Sequence, residues 1–259
     1  MKDSSERFTA VADAYDRFRP GYPSAVLDWL AATTGIAAGA RVADLGCGTG
    51  IFSRLVAARG LAVVGIDPNP DMLAVARKAG CGPAYVLADA TCTGLAGGSV
   101  RLVTAAQAFH WFPLEVALAE VDRIVAPGGW ACALWNLRVS NPFNDEYDDL
   151  LITWSRDYRA DLSDLRHDPR APIVAAALPG AVSVEFPVQE VLRWEAVIGR
   201  VRATSFVVHG VADRPAFEER VRKAFERHAR GDGTLVWAMR TAAIAWPRRA
   251  WPAGLSGSR

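Results

Sequence analysis

Residues 41–50, Arg-Val-Ala-Asp-Leu-Gly-Cys-Gly-Thr-Gly, constrain this chain more than any other stretch. A short apolar strand (Val42, Ala43, Leu45) runs into a turn with glycine at 46, 48 and 50, and an apolar-periodic helix starts at once near Ile51. Glycines packed this closely meet two demands: backbone at positive φ, and bare backbone that a ligand can approach with no Cβ in the way. The helix mouth that follows leaves unpaired N–H groups facing whatever binds there. Strand, turn and helix start together describe a nucleotide-type site, although an ordinary tight strand-to-helix turn would use the same letters.

Spacing narrows the ligand. A dinucleotide-binding turn places its glycines first, third and sixth, with the pyrophosphate on the helix start. Here the third glycine falls on the fifth position and Ile51 on the sixth. Asp44, two residues before Gly46, is a poor neighbour for a pyrophosphate and suits a ligand with an ammonium or sulfonium charge. Both points disfavour an oxidoreductase holding a nicotinamide dinucleotide.

Leu61 to Ile66 reads as a buried strand ending at Asp67, 21 residues after Gly46. At that distance a strand–helix–strand unit delivers an acid to a ribose. The same acid could instead cap the helix that starts near Asn69 or Pro70. Met72, one turn into that helix, packs on an adenine face or on the sheet. Tyr85–Ala88, Val100–Ala106 and Trp130–Trp135 are the next strands, and Glu115–Val125 is an amphipathic helix. Ala126-Pro127-Gly128-Gly129 makes a tight turn into the fifth strand. Alternating strands and helices predict a doubly wound α/β protein with a parallel sheet. Ligands of such sheets bind off the carboxyl ends of the strands, so Gln107-Ala108-Phe109-His110-Trp111-Phe112-Pro113 lies at the mouth of the site.

From Asn136 to about Gly180 the rhythm breaks. An acidic, aromatic helix (Asn144–Arg159) and a charged stretch read as a cap, a substrate wall or both. A sixth strand (Val182–Leu192), helices over Trp194–Val208 and Pro215–Arg230, a last strand (Leu235–Ala245) and a loose tail from Trp246 follow. With 259 residues, 51% of them apolar, the chain can form one large domain or a domain with a cap. A net charge of +1 argues against an extended nucleic-acid footprint. No run reaches the roughly 18 apolar residues that span a bilayer. The N-terminus has no apolar leader, so a cytoplasmic protein is expected. Its four cysteines and four histidines lack metal-ligand spacing, so free thiols and no metal site are expected.

The run ending at Gly50 resembles motif I of the class I S-adenosylmethionine-dependent methyltransferases. Tyr15-Asp16-Arg17-Phe18-Arg19-Pro20-Gly21-Tyr22-Pro23 and the Pro-Gly-Gly approach to the fifth strand resemble the branch of trans-aconitate methyltransferase-like enzymes (methyltransferase type 11). The resemblance is specific over residues 8–136 and looser up to about 248. It implies a seven-stranded, mostly parallel, Rossmann-like sheet, its last strand antiparallel between the fifth and sixth. The break in rhythm adds a helical cap or insert that such a sheet does not need, so the expected division is a cofactor half with N-terminal lid helices (1–136), a cap or substrate insert (137–180), the rest of the sheet (181–246) and a flexible tail (247–259). S-adenosyl-L-methionine is the implied cofactor, S-adenosyl-L-homocysteine its product, and a small molecule the acceptor, with neither nucleic acid nor membrane as partner.

Carried onto this chain, the resemblance implies a cofactor site of Tyr15, Arg19, Asp44, Gly46, Gly48, Asp67, Pro68, Met72, Asp89, Ala90 and Gln107. The segment around Tyr15 and Arg19 closes on the methionine end, and Asp89 accepts from the adenine amino group. The acceptor side comprises Tyr22, His110, Trp111, Trp135 and Arg138. His110 is the candidate for moving a proton or holding an anion; a histidine satisfied by a backbone carbonyl is the other reading. Trp135 offers an aromatic face that favours a sulfonium. Methyl transfer asks mainly for alignment and exclusion of water, so a chain without a triad or metal triplet fits it better than hydrolysis or metal chemistry. The resemblance suggests O-methylation of a small carboxylic acid. An aromatic-rich insert, and Arg138 as the only cation near the His110 loop, leave a specialised metabolite equally open. Two alternatives keep the cofactor: cyclisation of its aminobutyrate arm, and a catalytically silent binding module.

Overall fold

The computed structural model describes residues 17–158 and 178–249. Within them one sheet is built from β1 (Arg41–Leu45), β2 (Ala62–Asp67), β3 (Ala84–Leu87), β4 (Val100–Ala106), β5 (Val125–Arg138), β6 (Val182–Leu192) and β7 (Leu235–Pro247). The strand order is β3-β2-β1-β4-β5-β7-β6. Strands β1 to β5 pair in parallel, and β7 runs antiparallel between β5 and β6. This is the expected seven-stranded sheet with its last strand reversed. Between β1 and β4 the chain's winding changes direction, which opens a crevice at their carboxyl ends.

Period-two alternation explains why the central strands read as unbroken apolar runs. Val42, Leu102, Cys132 and Leu134 face one side, against α1 (Ser24–Thr34) and α2 (Ile51–Ala57) through Val26, Leu30, Phe52 and Val56. Ala43, Leu45, Val103, Ala105, Ala131 and Ala133 face the other, against Leu118, Val121 and Ile124 of α4 (Leu114–Ile124). A fully buried Leu or Val contributes about 1.5–3 kcal/mol over leaving it in water, so both layers are needed. Helix α3 (Pro70–Ala79) follows β2. A second apolar cluster lies at the β6–β7 edge, where Phe143, Tyr147 and Leu151 of α5 (Pro142–Trp154) meet Val197 and Val201 of α6 (Trp194–Arg202). Val207 of α7 (Ser205–Gly210), Phe217 and Val221 of α8 (Arg214–His228), and Trp237 of β7 complete it.

Several boundaries differ from the sequence expectation. Strand β5 starts at Val125, which pairs with Val100; Ala126–Gly129 then bulges out before Trp130 pairs with Leu102. A Cβ on Gly129 would lie 2.8 Å from the Arg101 carbonyl oxygen, so the bulge needs glycine. The single helix expected over 194–208 is two, α6 and α7. Helix α5 starts earlier, at Pro142, because Asn141 accepts the Asn144 N–H at 2.8 Å as its cap. The tail expected to be loose from Trp246 is tied down as far as it is described. Trp246 pairs with Ala131, is 1% exposed and meets Phe109 edge-on at 5.7 Å. Arg249 pairs with Asp122 at 2.6 Å. Residues 1–16, Tyr15 among them, residues 159–177 of the expected insert, and residues 250–259 lie outside the described residues. Among the described residues no helix is long and apolar enough to cross a membrane.

Candidate cofactor and acceptor cleft

The crevice at the β1/β4 carboxyl ends holds a cavity whose floor is the glycine turn. Gly46, Gly48 and Gly50 all adopt positive φ, and two of them show why. A Cβ on Gly46 would sit 2.5 Å from the Ala108 Cβ, so the turn and the segment after β4 touch there. A Cβ on Gly48 would meet nothing within 4 Å. It would point into open cavity, where a ligand needs the room.

Asp67 ends β2 and faces the same cavity. Its Oδ2 accepts the Gly48 N–H at 2.8 Å and its Oδ1 the Asn69 N–H at 2.9 Å. The cap of α3 is Asn69, whose Oδ1 accepts from Asp71 and Met72 N–H. A carboxylate has about four acceptor positions, so two remain for hydroxyl donors. Burial pushes the Asp67 carboxyl up, and the two N–H donors pull it back. Pro68, Met72, Gln107 and Arg19 also line this cavity, with Tyr22 and Trp111 from the predicted acceptor side. These remaining acceptor positions fit a nucleoside carrying vicinal hydroxyls, flanked by the apolar Pro68 and Met72.

Other predicted residues lie elsewhere. Asp44 is 1% exposed and lies outside the lining of this cavity. It stands behind the turn, where Ser53 Oγ and Thr104 Oγ1 donate to its two oxygens at 2.6 and 2.8 Å. Burial pushes its carboxyl up to about 6. Strand alternation decides this, because Asp44 points into a helix-covered face rather than off the strand end. Asp89 is exposed and accepts from Thr91, and Ala90 is buried; neither lines the cavity. His110 is exposed on a 3₁₀ turn (Phe109–Trp111) and lies outside the lining of this cavity and of the one beside it. The Trp135 indole N–H donates to its Nδ1 at 3.0 Å. Trp135 itself is 1% exposed and turned into the core.

A second cavity adjoins the first, sharing Arg19, Pro20, Tyr22 and Gln107 as a partition. The partition segment is fastened from behind. Asn136 Nδ2 donates to the Gly21 carbonyl at 2.9 Å, and Arg200 Nε to the Phe18 carbonyl at 3.2 Å. Gln107 holds a left-handed φ of 59° that side chains avoid, and its Nε2 donates to the Asn136 carbonyl at 3.1 Å. The second cavity brings in Arg138, as expected, and also Arg200, Thr204, Trp237 and Met239, which local motifs did not single out. Three arginines and no carboxylate line it among the described residues.

A doubly wound sheet of this order, with its last strand reversed, is the fold of the class I methyltransferases. Residues 43–133 match the family model described as Methyltransferase domain, Methyltransf_11. Over these residues the chain carries a domain of the methyltransferase type 11 kind. An uncharacterised methyltransferase of Mycobacterium tuberculosis is 42% identical over 137 residues, covering 53% of this chain and 55% of that protein. The malonyl-[acyl-carrier protein] O-methyltransferase of Serratia marcescens is 34% identical over 127 residues, covering 46% and 50%. The match thus spans about half the length of these relatives. A solved structure from Anaeromyxobacter dehalogenans, inferred to be a type II methyltransferase, superposes with a TM-score of 0.65 at 25% identity, covering 90% of this chain and all of that one.

Proposed function

We propose that this protein is an S-adenosylmethionine-dependent methyltransferase that methylates an oxygen of a small carboxylic acid. The observation that carries the reading is the pair of adjoining cavities. One is floored by Gly46–Thr49 of the glycine turn and closed by Asp67; the other is rimmed by arginines. Asp67 would hold the ribose hydroxyls, Gly48 would leave room for the amino-acid portion, and Pro68 and Met72 would flank the base. Bound there, S-adenosylmethionine supplies a methyl carbon already activated by its sulfonium, and S-adenosylhomocysteine is released. Arg19, Pro20, Tyr22 and Gln107 would align the acceptor oxygen at the partition and keep water out, which is where most of the catalysis lies.

The linings support an acceptor that arrives ionised. Among the described lining residues there is no histidine or lysine. Burial pushes the Cys47 thiol far up, so it holds its proton, and Asp67 is committed to backbone N–H groups. A carboxylate needs no base, whereas an alcohol or amine acceptor does. The O-methyltransferase named among the relatives agrees with transfer to oxygen. Four unpaired cysteines suit a reducing, cytoplasmic setting.

Incubation with methyl-labelled S-adenosylmethionine and a panel of small carboxylic acids tests the reading. Label in an acid-stable, base-labile ester with stoichiometric S-adenosylhomocysteine is expected. Methylthioadenosine as the product, or binding with no turnover on any acid, would overturn it in favour of arm cyclisation or a silent module.

A further inference from the structure

Resting on that reading, the geometry points to Arg200 acting with Arg138 as a two-guanidinium clasp for the acceptor's anionic end. The two residues stand 62 positions apart and line the same cavity. Each guanidinium is braced from behind. Glu190 Oε2 lies 2.6 Å from Arg200 Nη1, Arg200 Nε holds the Phe18 carbonyl, and the group rests 5.5 Å over the Trp237 ring. Asp148 Oδ1 accepts from Arg138 Nε at 3.0 Å and from its Nη2, and Arg138 Nη2 also donates to the Tyr158 hydroxyl at 2.8 Å. The Arg138 group lies 5.4 Å over the Tyr147 ring.

These braces fix the orientation of both forks and use only part of their donors. Arg200 Nη2 and Arg138 Nη1 have no protein partner among the described residues. Two fixed guanidiniums with spare N–H groups on one cavity are suited to a carboxylate, which accepts along two parallel directions. The braces Asp148 and Glu190 stand outside the lining and offset most of the arginines' charge. A singly charged carboxylate therefore suits the clasp better than a dianionic phosphate. With one anionic end held here, the acceptor extends across the partition toward the first cavity. Arg200 is a specificity residue in this scheme.

The test is calorimetric titration of the protein saturated with S-adenosylhomocysteine, using glutarate, its uncharged diamide and inorganic phosphate as probes. Glutarate is expected to bind, the diamide to fail, and phosphate to bind more weakly than glutarate. Arg200→Gln is expected to weaken glutarate at least about tenfold, with Arg200→Lys recovering part of the loss. Both variants should lose far less affinity for S-adenosylhomocysteine than for glutarate, since Arg200 lies outside the first cavity's lining and reaches it only through the Phe18 carbonyl. Should Arg200→Gln fail to fold, Arg200→Lys alone is expected to bind glutarate several-fold more weakly than wild type. No glutarate binding, equal binding of the diamide, tighter binding of phosphate, or wild-type glutarate affinity in the variants would overturn the clasp. Failure of S-adenosylhomocysteine to bind the wild-type protein would instead overturn the methyltransferase reading, and glutarate binding to the protein alone would still decide the clasp.

Discussion

Asp44→Asn should make this protein more stable at neutral pH, against the usual expectation for a buried polar residue in a motif. The native carboxyl is 1% exposed, and burial raises it from 3.8 to about 6. The sign follows from linkage. Between those two values the folded state holds a proton that the unfolded state has released, so stability falls as pH rises through the window and stays low above it. The penalty at neutral pH is about 3 kcal/mol, since each tenfold gain in the carboxylate's proton affinity on folding corresponds to about 1.36 kcal/mol. Asparagine has nearly the same shape and no charge to desolvate. The Ser53 and Thr104 hydroxyls, which donate to Asp44, can rotate so that one accepts from the new amide. Urea unfolding of both proteins from about pH 4 to pH 8 reads the effect as a difference, in which the other carboxylates cancel. The curves should coincide near the acid end and separate by a few kcal/mol, in favour of Asp44→Asn, by neutral pH. A separation independent of pH, or a less stable variant at neutral pH, would refute the account of a carboxyl sealed behind the turn.

Asp67→Ala should weaken S-adenosylhomocysteine by at least about tenfold in calorimetry, since hydrogen bonds to a charged group are worth roughly 1.5–3 kcal/mol each; undiminished affinity would return Asp67 to a purely structural role in holding the Gly48 and Asn69 N–H groups. Because His110 Nδ1 accepts from Trp135, neutral His110 carries its proton on Nε2. Long-range ¹⁵N correlation spectra should show that tautomer, and Trp135→Phe should give a mixture; an Nδ1–H signal in the native protein contradicts the hydrogen bond. Asn69→Ala removes the α3 cap and should cost about 1 kcal/mol in denaturant melts, and an unchanged midpoint would mean that water or Asp67 supplies the cap instead.

Residues that are neighbours in sequence were legible from the sequence. The glycines at 46, 48 and 50, the acid at the end of β2 and the alternation of strands and helices are local signals, set by backbone torsion and by periodicities of two and 3.6. They sufficed for the doubly wound sheet and for the side of the crevice made by Gly48, Asp67 and Met72, while Pro68 came from the family resemblance. The reversed strand between β5 and β6 came from family resemblance rather than from any local signal. Asp44 shows where such signals stop: its place in the motif suggested a ligand, whereas the face of β1 it occupies seals it beneath α2. His110 likewise follows β4 as expected, yet the Trp135 indole engages its Nδ1 and it stands outside both linings.

The acceptor side was decided by tertiary structure. Arg19, Arg138 and Arg200 come from the partition segment ahead of α1, the end of β5 and the end of α6. Nothing in the spacing of three isolated arginines says that they meet. They share a cavity because α5 and α6 pack beside β7, and because Glu190 and Asp148 turn two of the guanidiniums toward it. Trp246 entered the core for a similar reason, since only its register with Ala131 across β5 and β7 places it there. Torsional and periodic preferences are written residue by residue, but a binding surface made by docking distant elements exists only once those elements have packed.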